Sequence, residues 1–142
     1  MSWDLMAFKV PPEFKTTKDM PQDWRPASFG TQEEVASRLK NLLPGIRFDP
    51  PNPKFGLWGL YAGNGFSLEI SLGETESVDH LWIAVRGDMK ALALLAEIVA
   101  AFGLRGVDLQ RGEFFDPVEA RKSFGEWRSA LDRYRNERLG PG

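Results

Sequence analysis

The chain has 142 residues, of which 42% are hydrophobic, 12% aromatic and 27% charged, the make-up of one soluble domain with its own core and no second domain. It contains no cysteine and a single histidine, which excludes disulfides, a thiol nucleophile, Cys-based clusters and a His-based metal triad. A formal net charge of -2, with acids and bases interspersed, offers no basic field for phosphate, so nucleic acid is not the expected partner.

The opening stretch MSWDLMAFKV has no basic leader followed by a long apolar run. The most apolar segment, Leu92–Phe102, is shorter than the ~20 residues that cross a bilayer. The expectation is a cytoplasmic protein with no membrane partner.

In chain order, Trp3–Val10 reads as a first strand closed by Pro11-Pro12, since proline cannot donate to a ladder. Residues 11–30 then form a Pro-rich connector, irregular but anchored by Phe14, Met20, Trp24 and Phe29, and therefore expected to be ordered on the domain. Thr31 with Glu34 is a capping-box pattern, and Val35, Leu39, Leu42 and Leu43 make one apolar stripe, a first helix stopped by Pro44-Gly45. Ile46–Asp49 suggests a short strand, with Pro50, Pro51 and Pro53 as a rigid spacer behind it. Phe55–Tyr61 and Phe66–Leu72 flank Ala62-Gly63-Asn64-Gly65, a hairpin in which Asn-Gly is expected to supply positive φ values.

In the second arm of that hairpin Phe66, Leu68, Ile70 and Leu72 alternate with Ser67, Glu69 and Ser71, the pattern of a sheet with one buried face. His80–Arg86 repeats it, with Leu81, Ile83 and Val85 inward and His80, Trp82, Ala84 and Arg86 outward. Asp88 is a candidate N-cap for a nearly all-apolar helix from Ala91 to Phe102, and Gly103 suits its C′ position. Val107–Gln110 reads as a last strand. Asp116-Pro117-Val118-Glu119 starts a third helix carrying Phe124, Trp127, Leu131 and Tyr134, and the tail 139–142 is expected to fray. The order predicts a single α+β domain over 1–142, a mainly antiparallel sheet with helices packed on one face. It resembles a ferredoxin-like βαββαβ core with an added hairpin and a C-terminal helix.

Motifs for chemistry are mostly missing. Any Ser-His-Asp triad would have to use His80, yet neither Ser67 nor Ser71 sits on a strand-to-helix elbow. Gly63-Asn64-Gly65 leads into a strand with Leu68 where a dinucleotide loop would place its third glycine, so a hairpin turn explains it better. Glu74, Glu76 and Asp79 crowd one loop without the glycine and terminal glutamate of a calcium loop, and read either as a solvated turn or as a contact for a basic partner. Asp108, Glu113 and Asp116 surround Gly112, and with Glu69 they offer material for an acid/base pair of the glycosidase type, which needs carboxyl groups about 5–9.5 Å apart. No cofactor, metal ligand set or catalytic residue is expected beyond that alternative.

The outward sheet face is the more specific constellation. Trp58, Glu69, Trp82 and Arg86 combine two large aromatics with a carboxylate and a guanidinium, the residue types of interface hot spots. Alternatively the connector or the third helix covers both tryptophans, and Glu69 and Arg86 form a cross-strand ion pair. With Glu74 and Glu76 from the acidic loop, these residues are the candidate partner-binding set.

Trp3-Asp4-Leu5, Trp58 ahead of the Gly63/Gly65 turn, Phe66–Gly73 with Glu69 inside it, Val85-Arg86-Gly87, Asp108 and Gly112-Glu113-Phe114-Phe115-Asp116 resemble a group of small uncharacterised bacterial proteins. Some of these are regarded as immunity proteins of toxin systems. The resemblance brings no catalytic residues with it. It implies a non-enzymatic domain that binds another protein, a toxin in the most concrete version; a small-molecule-binding module on the open sheet face and a carboxylate-based hydrolase are the alternatives.

Overall fold

The computed structural model describes residues 2–52, 56–116, 125 and 129. Of the third helix expected around Phe124, Trp127, Leu131 and Tyr134, only Gly125 and Ser129 are described, both helical; those four side chains and the tail 139–142 lie outside the described residues.

The fold is α+β. A mainly antiparallel sheet is built from β1 (Trp3–Phe8), β3 (Arg47–Asn52), β4 (Gly56–Ala62), β5 (Phe66–Ser71), β7 (Leu81–Gly87), β8 (Arg105–Asp108) and β9 (Glu113–Phe114), in the spatial order β3-β4-β5-β7-β1-β8-β9. A second, two-stranded pairing joins β2 (Gly30–Thr31) to β6 (Ser77–Val78). Among the described residues the sheet is accompanied by the α-helices α1 (Gln32–Leu42) and α2 (Ala91–Ala101).

Strict alternation along the central strands decides which face is buried. Trp3, Leu5 and Ala7 of β1, Leu68 and Ile70 of β5, and Leu81, Ile83 and Val85 of β7 are all fully buried. They share one cluster with Val35 and Leu39 of α1 and Leu92, Leu95 and Ile98 of α2. Helix α1 begins as its sequence predicts: the Thr31 hydroxyl accepts from the Glu34 N–H and the Glu34 carboxylate accepts from the Thr31 N–H, both at 3.1 Å. Helix α2 ends in a Schellman motif, with Gly103 N–H donating to the Ala100 carbonyl and Leu104 N–H to that of Val99. The Arg38 guanidinium lies 4.3 Å from the centre of the Phe102 ring and also donates to the Ala101 carbonyl, so α1 is tied to the electronegative end of α2.

Several expectations need correction. The first strand stops at Phe8, not Val10. The chain stays extended through Pro50 and Pro51 instead of leaving the sheet, because β3 is an edge strand whose register shifts between Asp49 and Asn52, where missing donors are tolerated. In the β4–β5 hairpin only Gly65 takes a positive φ, 87°; Asn64 does not. The loop is thus a three-residue connection closed by one left-handed glycine. Asp88 acts one turn ahead of α2, its carboxylate accepting from the Lys90 N–H at 3.1 Å, and Lys90 holds the N-cap position. The last predicted strand, Val107–Gln110, lies instead at Arg105–Asp108, because the Asp108 carboxylate accepts from the Gln110 N–H and turns the chain out of the ladder.

Candidate functional site

On the face of the sheet away from α1 and α2, register places side chains in rows. One row runs Trp58, Ser71, Trp82, Met6, Val107 across β4, β5, β7, β1 and β8. The next runs Leu60, Glu69, Ala84, Asp4. Small residues thus occupy the middle, Ser71 and Ala84, and indoles stand on either side of Ser71. Together they form a concavity of about 820 Å³.

Five of the six residues that the sequence singles out line it: Trp58, Glu69, Trp82, Arg86 and Glu74. Trp58 is half-buried and Trp82 is 41% exposed. The Arg86 guanidinium donates to the Glu69 carboxylate at 2.8 Å, the cross-strand pair the alternation allows. Both partners are more than a third exposed, so this pair adds at most about 1 kcal/mol of stability. Its consequence for the site is that the guanidinium already has a carboxylate.

The sixth residue, Glu76, does not line the concavity. The loop after β5 leaves Glu74, Thr75, Glu76 and Ser77 exposed, as a solvated turn would, but its backbone is held on both sides. Glu76 contributes its carbonyl to the Gln32 N–H at 2.8 Å, and β6 pairs with β2 beside it. On the other side Leu57 N–H donates to the Gly73 carbonyl and Leu72 N–H to that of Leu57. Gly56 is essential to this approach: its φ is 71°, and a Cβ there would overlap the Gly73 backbone. The loop therefore rises as a fixed end wall, presenting Glu74, Thr75, Asp79 and His80. His80 Nδ1 lies 2.6 Å from the Asp79 carboxylate.

The connector covers the other half of the open face. Trp24 packs on Phe8 and Phe14, with ring centroids 5.8 and 5.6 Å apart. The Phe14 carbonyl accepts from Arg105 at 2.8 Å, and the Thr17 hydroxyl donates to the Gly112 carbonyl at 2.7 Å. The connector is thus ordered, as its aromatic anchors suggest, and lies against Phe8 instead of Trp82. A smaller depression of about 470 Å³ between Met6, Phe8, Met20 and Trp24 marks its border, and Asp79 and His80 line both hollows.

Glu69 and Asp108 do not meet. Asp108 stands opposite Leu5 on the helix side and is 3% exposed, with its carboxylate accepting from the N–H and the side-chain amide of Gln110. Glu69 faces the other way on a strand three spacings off, about 14 Å. That exceeds the separation an acid/base carboxylate pair requires, about 5–9.5 Å. Glu113 pairs with Arg111 at 3.6 Å. Among the described residues no group of three or more His, Asp or Glu side chains is placed to hold a metal ion, and no helix is long and apolar enough to cross a membrane.

The candidate set read from the sequence leaves out Asp4, Ser71, Asp79 and His80, which also line the hollow, although the alternation turns Ser71 and His80 outward and Asp79 belongs to the acidic loop. The alternation of Trp3, Leu5 and Ala7 was the available signal for Asp4, since it turns Asp4 outward. Nothing local says that β1 inserts beside β7. Comparison with family models, curated proteins and solved structures gives no match, so the functional reading rests on this geometry.

Proposed function

We propose that the chain is a non-enzymatic binding domain whose open sheet face receives an exposed segment of another protein. The observation that carries this reading is the concavity between Trp58 and Trp82, on the half of the sheet that the connector leaves bare. Indole walls favour recognition over chemistry, because they bury much area and keep an N–H for the rim. The volume of about 820 Å³ also lies in the range of small-ligand pockets, roughly 300–1,000 Å³, which supports a small-molecule module as the second reading. Such pockets enclose most of their ligand, however, and here one wall is itself 41% exposed. A segment of a protein, still joined to a larger surface, suits an open hollow better.

The most concrete version is an immunity-type inhibitor of a bacterial toxin, acting in the cytoplasm. An inhibitor needs a preformed surface and no reactive group, and the register-fixed rows with the Gly56–Gly73 contact supply one. A ferredoxin-like core with an added hairpin is the matching fold proposal. In support, β1-α1-β5 and β7-α2-β8 are two split βαβ units, each with a strand of the other inserted, and β3 and β4 extend the β5 edge.

The test is co-expression with the product of the neighbouring reading frame. The chain should co-purify with it and relieve its toxicity, and Trp82→Ala should abolish both while remaining folded. Undiminished co-purification of Trp58→Ala and Trp82→Ala would remove this face from the interface.

A further inference from the structure

We infer that the segment received by the concavity is basic, and that it lays one lysine or arginine side chain between Trp58 and Trp82. This rests on the binding reading above and adds the chemistry of the occupant.

Charge is the first argument. Asp4, Glu69, Glu74 and Asp79 line the hollow, against Arg86 and the single histidine, His80. Among the described lining residues, four carboxylates and one guanidinium leave a formal -3 with His80 neutral and -2 with it protonated, as negative as the whole chain at -2 or more so. The pairs also leave specific groups over. Glu69 is committed to Arg86, and Asp79 lies against His80. The Asp4 carboxylate accepts from the neutral Ser2 hydroxyl at 2.7 Å, and Glu74 has no ion-pair partner among the described residues. Among the described residues Asp4 and Glu74 are therefore acids without a cation, one on β1 diagonal to Trp82 and one on the end wall.

Geometry is the second. Trp58 and Trp82 rise from strands two spacings apart, about 9.5 Å, with Ser71 between them. A helix, about 10–12 Å across with its side chains, is wider than that strand spacing even before the indoles narrow it, whereas one extended side chain is not. An indole face attracts an ammonium or guanidinium, and more strongly where a partner's surface excludes water. An apolar side chain would satisfy the indoles but leave Asp4 and Glu74 desolvated without a counter-charge, which disfavours it. An acidic one would add repulsion.

The experiment is selection of random dodecapeptides, displayed on phage, against the full-length chain. Trp58→Ala/Trp82→Ala serves as one counter-selection. Ala84→Trp, which fills the floor and keeps both indoles, serves as a second should the double variant fail to fold. Expected are peptides with a Lys or Arg at a fixed position, bound more weakly as salt rises, and losing about tenfold or more in affinity when that residue becomes norleucine. Asp4→Asn and Glu74→Gln should each weaken them several-fold, and Glu76→Gln should not. Enriched peptides that are apolar or acidic and insensitive to salt would overturn the basic occupant while leaving the binding face in place. No peptide preferring the parent over both counter-selection variants would overturn the binding face as well.

Discussion

Trp58 and Trp82 stand in one cross-strand row on either side of Ser71, each directly opposite it on a neighbouring strand. Two large side chains flanking a small one make a hollow out of a surface that a sheet would otherwise present as nearly flat. The same register sends Leu68, Ile70, Ile83 and Val85 into the core, so the hollow and the core are two consequences of one alternation. A one-residue slip would exchange them.

The core side gives the simplest prediction. Leu95 and Ile98 are fully buried between α2 and the sheet, and truncating either to Ala should cost about 2–5 kcal/mol. Denaturant titration checks this. Midpoints unchanged in both variants would mean that α2 is not packed on the sheet.

Gly56→Ala should be destabilising by more than about 1 kcal/mol, because a Cβ meets the Gly73 backbone and the φ of 71° is unfavourable for alanine. Gly45→Ala is the control, with a φ of 94° and open space around its would-be Cβ. It tests strain alone. Amide exchange of Leu57 and Leu72 should accelerate in Gly56→Ala and not in the control, since Gly56, unlike Gly45, lies where β4 meets the end wall.

Much of this was legible in the sequence where the determinants are local. The Thr31/Glu34 cap, the β4–β5 hairpin and the outward placement of Trp58, Glu69, Trp82 and Arg86 all follow from spacing and turn chemistry. What was not legible depends on pairing between distant segments. The insertion of β1 beside β7 brings Asp4 to the site, and the β2–β6 pairing turns an acidic loop into a wall that faces Glu74 inward to the hollow and leaves Glu76 outside it. Short strands such as β6 and β9, two residues each, carry no periodicity to read.

That difference between neighbouring acids is testable. Glu74→Gln and Glu76→Gln should each leave stability within about 0.5 kcal/mol, as exposed charges generally do. Only Glu74→Gln should slow association with a basic ligand at low salt, an effect that stopped-flow fluorescence can measure. Equal slowing by both would mean that the loop acts as a diffuse charge and not as a wall of the hollow.

A pH effect is expected in the connector. Backbone N–H donation from Thr16, and then from Lys15, at 2.9 and 2.8 Å holds the Asp19 carboxyl below its ordinary value. A depressed acid stabilises the fold above its unfolded pKa, and that contribution fades as pH falls through the folded one. NMR titration of Asp19 should therefore give a midpoint below that of Asp in an unfolded peptide. The Lys15 and Thr16 amide signals should shift with the same midpoint. An ordinary midpoint would mean that these bonds do not persist in solution.

The most direct test of the binding face combines melting with titration of Trp82→Ala against the bound protein or a selected peptide. With the indole 41% exposed, its loss should cost the fold about 1 kcal/mol or less and weaken binding by about 2 kcal/mol or more, as for an interfacial aromatic anchor. A loss of about 3–5 kcal/mol in stability, the cost of emptying a core aromatic site, together with undiminished affinity would contradict the account.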